Sequence, residues 1–244
     1  MPRPCVCQVP RASADPAAPP LFGTSAADTI AGVMEPAEKM CEIGRRAYAR
    51  QLVAGTEGNL SCRLDAERVL CTPTGLSKGL LTPADLCLID LEARQLEGRR
   101  RCSTEMRMHV GIYRAAPHVQ AVVHTHPPFA TTFSVLSEAG FAGVLPEGDI
   151  FLGTVPLVPY RTPGTAEMAE ALLPYVQDHV AVLLQNHGTV TWGNDLETAY
   201  VLTEMLEAVC RVVYQARLLG TIQPIPLEKR GELARLREQR PTDV

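Results

Sequence analysis

Apolar residues recur at two different periods along this chain, and the switches between them mark out its elements. From Glu35-Pro36 onward, Met40, Ile43, Ala47 and Leu52 fall at helical spacing, and Gly55 supplies the stop. Short apolar runs at Val69 to Cys71 and Leu86 to Asp90 predict strands, the second preceded by Thr82-Pro83-Ala84-Asp85, which has the make-up of a helix cap with proline first. A helix start at Ser103-Thr104-Glu105 feeds a strand that ends on His124-Thr125-His126. Beyond it the pattern predicts a helix or helical turn over Phe129 to Leu136, then a loop bearing two acids at Leu145-Pro146-Glu147-Gly148-Asp149. A strand over Val155 to Val158 and a helix from Thr165 to Val176 follow. Ala181 to Leu184 and Thr189 to Trp192 read as strands. Asn194 or Asp195 caps a helix from Leu196 to about Leu219, closed by Gly220. That helix is apolar on more than one face, so it is expected to be buried in the domain or against another subunit. A charged helix, Leu227 to Gln239, finishes the chain.

Residues 1–33 are rich in proline, alanine and small polar residues and show neither period, which predicts a disordered N-terminal extension, with Met34 a plausible beginning of the folded part. Residues 34–225 are then one domain and 226–244 a helical tail. At 244 residues the chain is long enough to bury a substantial core. Lys and Arg number 23 against 27 acids, a net charge of -4, and no basic stripe is interleaved with aromatics, which argues against a nucleic-acid partner. The eight cysteines are spread without a CxxC pair, as expected of free thiols in a reducing cytoplasm. No apolar run approaches the roughly 20 residues of a membrane span. The expectation is a soluble, cytoplasmic protein.

The candidate chemistry begins with the histidines. In a strand, His124 and His126 share a face at roughly 6.6 Å, two steps of about 3.3 Å, close enough to converge on one divalent ion. His187 follows the apolar run Ala181 to Leu184, and Glu105 is the carboxylate to add. Three histidines with a carboxylate or water are the usual make-up of a catalytic zinc site; strand histidines are also often half-buried core edges. Three donor-rich turns accompany them: Gly55-Thr56-Glu57-Gly58-Asn59-Leu60-Ser61, Thr72-Pro73-Thr74-Gly75 and Ser103-Thr104-Glu105. Each is compatible with an ordinary turn or with plain N-capping by Ser103, and together they suit a small phosphorylated ligand held by neutral donors. The P-loop and dinucleotide-binding spacings are absent. The only lysines are Lys39, Lys78 and Lys229, none of them in an apolar strand or helix core. A Schiff-base mechanism needs a desolvated lysine, so carbanion chemistry here would rest on a metal acting as Lewis acid.

Gly58-Asn59-x-Ser61, Thr72-Pro73-Thr74-Gly75, Ser103-Thr104-Glu105, His124-x-His126 and Asn186-His187-Gly188, in that order, resemble the class II aldolase/adducin family over about residues 37–220. The resemblance implies an α/β fold, a three-layer α/β/α domain with a central, largely antiparallel sheet, assembled as a homotetramer with sites at subunit interfaces. It implies Zn2+ on His124, His126 and His187, with Glu105 as fourth ligand and then general acid/base. Gly58, Asn59, Thr74, Gly75, Ser103 and Thr104 would hold the phosphate of a ketose 1-phosphate, whose cleavage gives dihydroxyacetone phosphate and an aldehyde. Members that cleave fuculose phosphate use a tyrosine from the loop after the second histidine as acid for the aldehyde oxygen. The matching place here is Leu145, and Glu147, two residues on, is the candidate substitute. The loop looks closer to members taking 5-deoxy or 5-methylthio pentulose 1-phosphates. Sugar-phosphate dehydratases and 4-epimerases of the family are the alternatives; a non-enzymatic scaffold of the adducin type should lack the three histidines.

Overall fold

The computed structural model describes residues 27–137 and 141–239, with side chains from Glu35 onward. Helix α1 (Ala27–Ala49) begins well before Glu35 and carries Pro36 inside it. The proline forfeits the hydrogen bond its nitrogen would give four residues back, which is why the sequence pattern placed a helix start there. Residues 27–33, expected to be disordered, are therefore helical, and the rest of the expected extension lies outside the described residues.

The strands form one eight-stranded sheet. They are β1 (Asn59–Arg63), β2 (Arg68–Cys71), β3 (Cys87–Asp90), β4 (Gln95–Glu97), β5 (Ala121–Thr125), β6 (Leu157–Val158), β7 (Ala181–Leu184) and β8 (Gly188–Gly193). Their order is β4-β3-β2-β1-β5-β8-β7-β6. Every neighbouring pair is antiparallel except β6 and β7. The remaining helices are α2 (Met106–Ala115), α3 (Pro128–Ser134), α4 (Ala166–Leu172), α5 (Leu196–Leu219) and α6 (Leu227–Glu238).

Alternation along the strands separates two cores. Val122, Val182, Val190 and Trp192 pack with α2 and α4 on one face, while Leu60, Cys62, Leu70, Ala121 and Val123 pack with α1 and the start of α5 on the other. Ala181 and Leu183 extend that second face toward α3 and the middle of α5. The result is three layers, helices on both sides of a largely antiparallel sheet, as expected from the motifs.

Several local expectations change. The stretch containing Asn59 and Ser61 is the central strand β1, not a turn; its polar side chains face α2, while Leu60 and Cys62 supply the apolar side. The helix expected over Thr165 to Val176 stops at Leu172 and continues as a 3-10 turn, because Pro174 has no N–H to extend the ladder. The acidic loop at Leu145 to Asp149 leads into a wide helical turn, Gly148–Leu152. The tail helix α6 folds back on this segment: Ile225 donates its N–H to the Gly143 carbonyl at 2.8 Å, and Arg230 pairs with Asp149 at 3.3 Å. The six cysteines among the described residues are free. No described helix is long and apolar enough to cross a membrane.

Gly188 opens β8 directly beside β5, where a Cβ would lie 2.5 Å from His126 Cδ2 and 2.6 Å from the Thr125 carbonyl oxygen. Backbone cannot yield as a flexible side chain would. Gly188→Ala is therefore expected to destabilise the fold by about 1–3 kcal/mol, read as a lowered midpoint in urea unfolding; an unchanged midpoint would show that the two strands separate freely here.

Candidate metal centre

The antiparallel register between β1 and β5 sets Asn59 opposite His124. His124 is the last-but-one residue of β5 and fully buried. His126 lies one residue past the strand, its N–H donated to the Leu52 carbonyl at 3.0 Å. His187 sits in the tight loop between β7 and β8, where Asn186 adopts φ +57° and the His187 N–H bonds the Leu184 carbonyl at 3.0 Å. One strand end, carrying two histidines, and one hairpin loop thus deliver three imidazoles to one point. Their ring centroids form a near-equilateral triangle with sides of 4.8, 4.7 and 4.9 Å. Their ligand atoms all lie within 4.8 Å of one another.

The tautomers are dictated by what the other ring nitrogens do. His124 Nδ1–H donates to the Thr189 carbonyl at 2.8 Å, and His126 Nδ1–H donates to Glu57 Oε2 at 3.0 Å. In the neutral rings both Nε2 atoms are then lone pairs, yet they face each other at 3.1 Å. Two acceptors at that separation need a cation between them. Glu105 closes the group, with Oε2 3.3 Å from His124 Nε2 and Oε1 3.4 Å from His187 Nε2. Four ligands at about 2.0–2.1 Å around a tetrahedral zinc stand roughly 3.3 Å apart, so three of the six separations among these four groups already have the right length, and the buried Glu105 Oε1 has no hydrogen-bond partner. The residues fit a divalent metal.

Electrostatics agree with this geometry. Burial would raise the Glu105 carboxyl, but the imidazoles of His124 and His187 and the Asn59 amide hold it well below the usual carboxylate range. Burial would lower His124, and Glu105 overrides it and raises the ring above its ordinary value. Burial and the neighbouring His124 depress His187 to about 4, and the same two causes lower His126.

The donor turns surround the centre. Asn59 Nδ2 donates to Glu105 Oε2 at 2.8 Å, so its side chain orients the carboxylate. The Thr72-Pro73-Thr74-Gly75 turn lies against the segment before α2 through Thr74 N–H to Arg101 O at 2.9 Å and Ser103 N–H to Thr72 O at 3.3 Å. The pairing is antiparallel, with Thr72 beside Ser103 and Thr74 beside Arg101, and Thr74 and Gly75 are exposed. Ser103 Oγ accepts the Glu105 N–H at 3.3 Å and thereby shapes the turn that carries Glu105, which itself stands at the N-cap of α2. Gly58, at φ +72°, runs so close to β5 that a Cβ would be 2.9 Å from the His124 carbonyl oxygen. Glu147 is exposed and makes no hydrogen bond or ion pair among the described residues.

Three functional contacts escape a reading of the sequence. Glu57, counted there only as part of a glycine turn, is the acceptor that fixes His126. Thr72 joins the second donor turn to β1, its Oγ1 accepting the Leu60 N–H at 3.1 Å. Lys78, judged to lie outside any apolar core, is 1% exposed. Its 3-10 turn, Lys78–Leu80, packs on α1, where Gly44 leaves so little room that a Cβ would meet the Lys78 carbonyl oxygen at 2.6 Å. No apolar periodicity marks a lysine buried by a turn rather than by a helix or strand.

A three-layer sheet domain that brings three histidines and a carboxylate together beside donor-rich turns is that of a metal-dependent enzyme. The model of the class II aldolase and adducin N-terminal domain matches residues 38–214, and the chain belongs to this family, as a metal-dependent lyase. It is 38% identical over 173 residues to the L-fuculose phosphate aldolase of Methanococcus maripaludis, covering 71% of this chain and 93% of that one. It is 35% identical over 204 residues to the 3-oxo-tetronate 4-phosphate decarboxylase of Escherichia coli, covering 82% and 94%. Among solved structures, Escherichia coli YgbL, described as a putative aldolase/epimerase/decarboxylase, superposes with a TM-score of 0.76 at 31% identity, over 83% of this chain and 99% of the other.

Two outcomes are expected. Because Glu105 holds the His124 ring above its ordinary value in the metal-free centre, against the opposing effect of burial, binding of a divalent cation near neutral pH should release protons. Titration calorimetry in buffers of different ionisation enthalpy reads this directly, and an enthalpy independent of buffer contradicts it. Glu57→Ala should weaken metal affinity about 10–100-fold by freeing the His126 ring, as measured by competition with a chelator.

Proposed function

We propose that this enzyme is a zinc-dependent aldolase that cleaves a small ketose 1-phosphate, of the fuculose phosphate or 5-deoxy and 5-methylthio pentulose phosphate kind, to dihydroxyacetone phosphate and an aldehyde. The observation that carries the reading is the convergence of His124, His126, His187 and Glu105 at ligand spacing beside the three donor turns. His124, His126 and His187 would hold the metal, and three imidazoles with a carboxylate favour zinc by ligand type. When bound, the metal polarises the ketose carbonyl as a Lewis acid and so lowers the barrier to the carbanion.

The chain's own residues do the rest. Gly58, Asn59, Thr74, Gly75, Ser103 and Thr104 would grip the phosphate through N–H and hydroxyl donors, a reading supported by the contacts of Asn59 and Ser103 with Glu105. Glu105, oriented by Asn59, is the proton carrier. As the C3–C4 bond breaks, its electron pair is left on C3 and conjugated with the C2 carbonyl, and Glu105 delivers the proton that makes C3 the hydroxymethyl carbon of dihydroxyacetone phosphate. The C4 hydroxyl must lose its proton as it becomes the aldehyde. Glu147 is the proposed partner for that proton, acting across a subunit interface. Its exposure on a segment braced by α6 supports a role at such an interface, as do the exposed Val212, Tyr214, Leu218 and Leu219 on the far half of α5. Assembly as a homotetramer and a cytoplasmic location belong to the same proposal.

The likeness to a 3-oxo-tetronate 4-phosphate decarboxylase favours a second reading. Loss of a carboxylate from the carbon next to the ketone leaves the same carbanion, so the same residues would serve and only the departing group would differ.

The test is incubation of the zinc-loaded enzyme with a panel of ketose 1-phosphates and 3-oxo acid phosphates, scoring dihydroxyacetone phosphate together with the aldehyde or carbon dioxide released. Aldehyde supports the aldolase, carbon dioxide the second reading, and neither product overturns both. Glu105→Gln should keep its metal while turnover falls by about 10²–10⁴; undiminished turnover removes Glu105 from proton transfer. With Glu147→Gln, cleavage should slow, and unaltered kinetics would exclude it from the mechanism.

A further inference from the structure

The donors of the three turns are neutral N–H and hydroxyl groups, and the carboxylates carried by two of the turns, Glu57 and Glu105, are committed to the histidines. A doubly charged phosphate entering this cradle would meet negative charge on two sides. The cation buried among the turns is Lys78. Its Nζ donates to the Thr56 carbonyl at 2.9 Å and to the Leu76 carbonyl at 2.7 Å. Thr56 is two residues before Gly58, and Leu76 directly follows Gly75. A single ammonium therefore ties the first donor turn to the second, from within the protein.

Its surroundings leave that charge uncompensated. Lys78 forms no ion pair among the described residues, and its two acceptors are carbonyl dipoles. Lys39 and Lys229, by contrast, are paired with glutamates on the surface. Burying an ammonium without a counter-ion is costly, and desolvation accordingly lowers Lys78 to about 8, with Glu57 and Glu105 opposing the shift from a distance. A buried cation of this kind, bonded to a carbonyl of the first donor turn and to the carbonyl next after the second, is explained by an anion that completes it.

We infer that Lys78 is the counter-charge of the phosphate cradle, a positioning residue that holds the Gly58 and Gly75 turns in register and supplies the positive field that the substrate's phosphate neutralises. The inference rests on the phosphate side of the proposed function but is independent of which bond is cleaved. It also makes a phosphorylated substrate part of the folded architecture: the interior is left one anion short until such a ligand binds.

Inorganic phosphate is the probe, added to zinc-loaded full-length protein with no substrate present. Wild type should bind it measurably by calorimetry, with a matching rise in its thermal unfolding midpoint. Lys78→Met, which removes charge and donors, and Lys78→Gln, which removes charge but keeps an N–H donor for the carbonyls, should each weaken phosphate binding at least tenfold and abolish the thermal shift while zinc affinity stays as in wild type. Phosphate affinity retained in Lys78→Gln overturns the counter-charge role, and so does a wild-type protein indifferent to phosphate. If Lys78→Met does not fold, the glutamine variant decides alone. Lys78-dependent phosphate binding in a protein that cleaves no ketose phosphate would sink the aldolase reading and leave this inference standing.

Discussion

Two imidazole nitrogens that can only accept face each other at 3.1 Å, and the surrounding structure is arranged so that neither can turn away. The Thr189 carbonyl holds one ring and the Glu57 carboxylate the other. In water such a pair would rotate or take a proton to relieve the contact. Here His124 is fully buried and the strand register allows no slip, since shifting β5 by one residue would turn His124 to the opposite core. Only positive charge between the rings resolves the conflict. The centre is thus built for a cation before any is bound, which is the preorganisation a metal-dependent lyase needs.

The sheet supplies that rigidity from backbone pairing. β5 lies at its middle, flanked by β1 and β8, so the histidine strand is hydrogen-bonded on both edges. Close approach at both sides depends on glycine: Gly58 against the His124 carbonyl, Gly188 against His126. Glu207 of α5 reaches across to accept the N–H groups of Phe129 and Ala130 at 3.0 and 2.8 Å, capping α3 where the chain leaves His126. Helices on both faces then lock the layers together.

Charge is distributed over two adjoining compartments. Around the histidines, Glu105 and Glu57 concentrate negative charge that suits a metal. A few residues along the chain, neutral hydroxyls and amides make up the proposed anion cradle, with the buried Lys78 bonded to the Thr56 and Leu76 carbonyls. A phosphorylated ketose carries both complements, a carbonyl and hydroxyl for the metal and a phosphate for the cradle. On the proposed reading the reaction needs these two ends held at a fixed distance, and the Lys78 ammonium, bonded to the Thr56 and Leu76 carbonyls, would be one of the ties that keeps it.

The sequence by itself determined the parts. The order of the five motifs, the histidine pair at a strand end, the helix that leads from Glu105 into that strand and the long capped helix α5 were all legible, because local periodicity and turn chemistry encode them. It did not reveal that Asn59 and Ser61 belong to a central strand, since the short alternation Asn59-Leu60-Ser61-Cys62 follows directly on the glycines Gly55 and Gly58, whose turn chemistry dominates the local pattern. It placed the start of α1 at Pro36, where a proline more often begins a helix than sits inside one. Only tertiary structure could decide that His187 meets the other two rings, that Glu57 braces His126 and that Lys78 is buried. Each of those depends on segments distant in the chain being brought together by sheet order and layer packing, and no spacing along one segment carries that information.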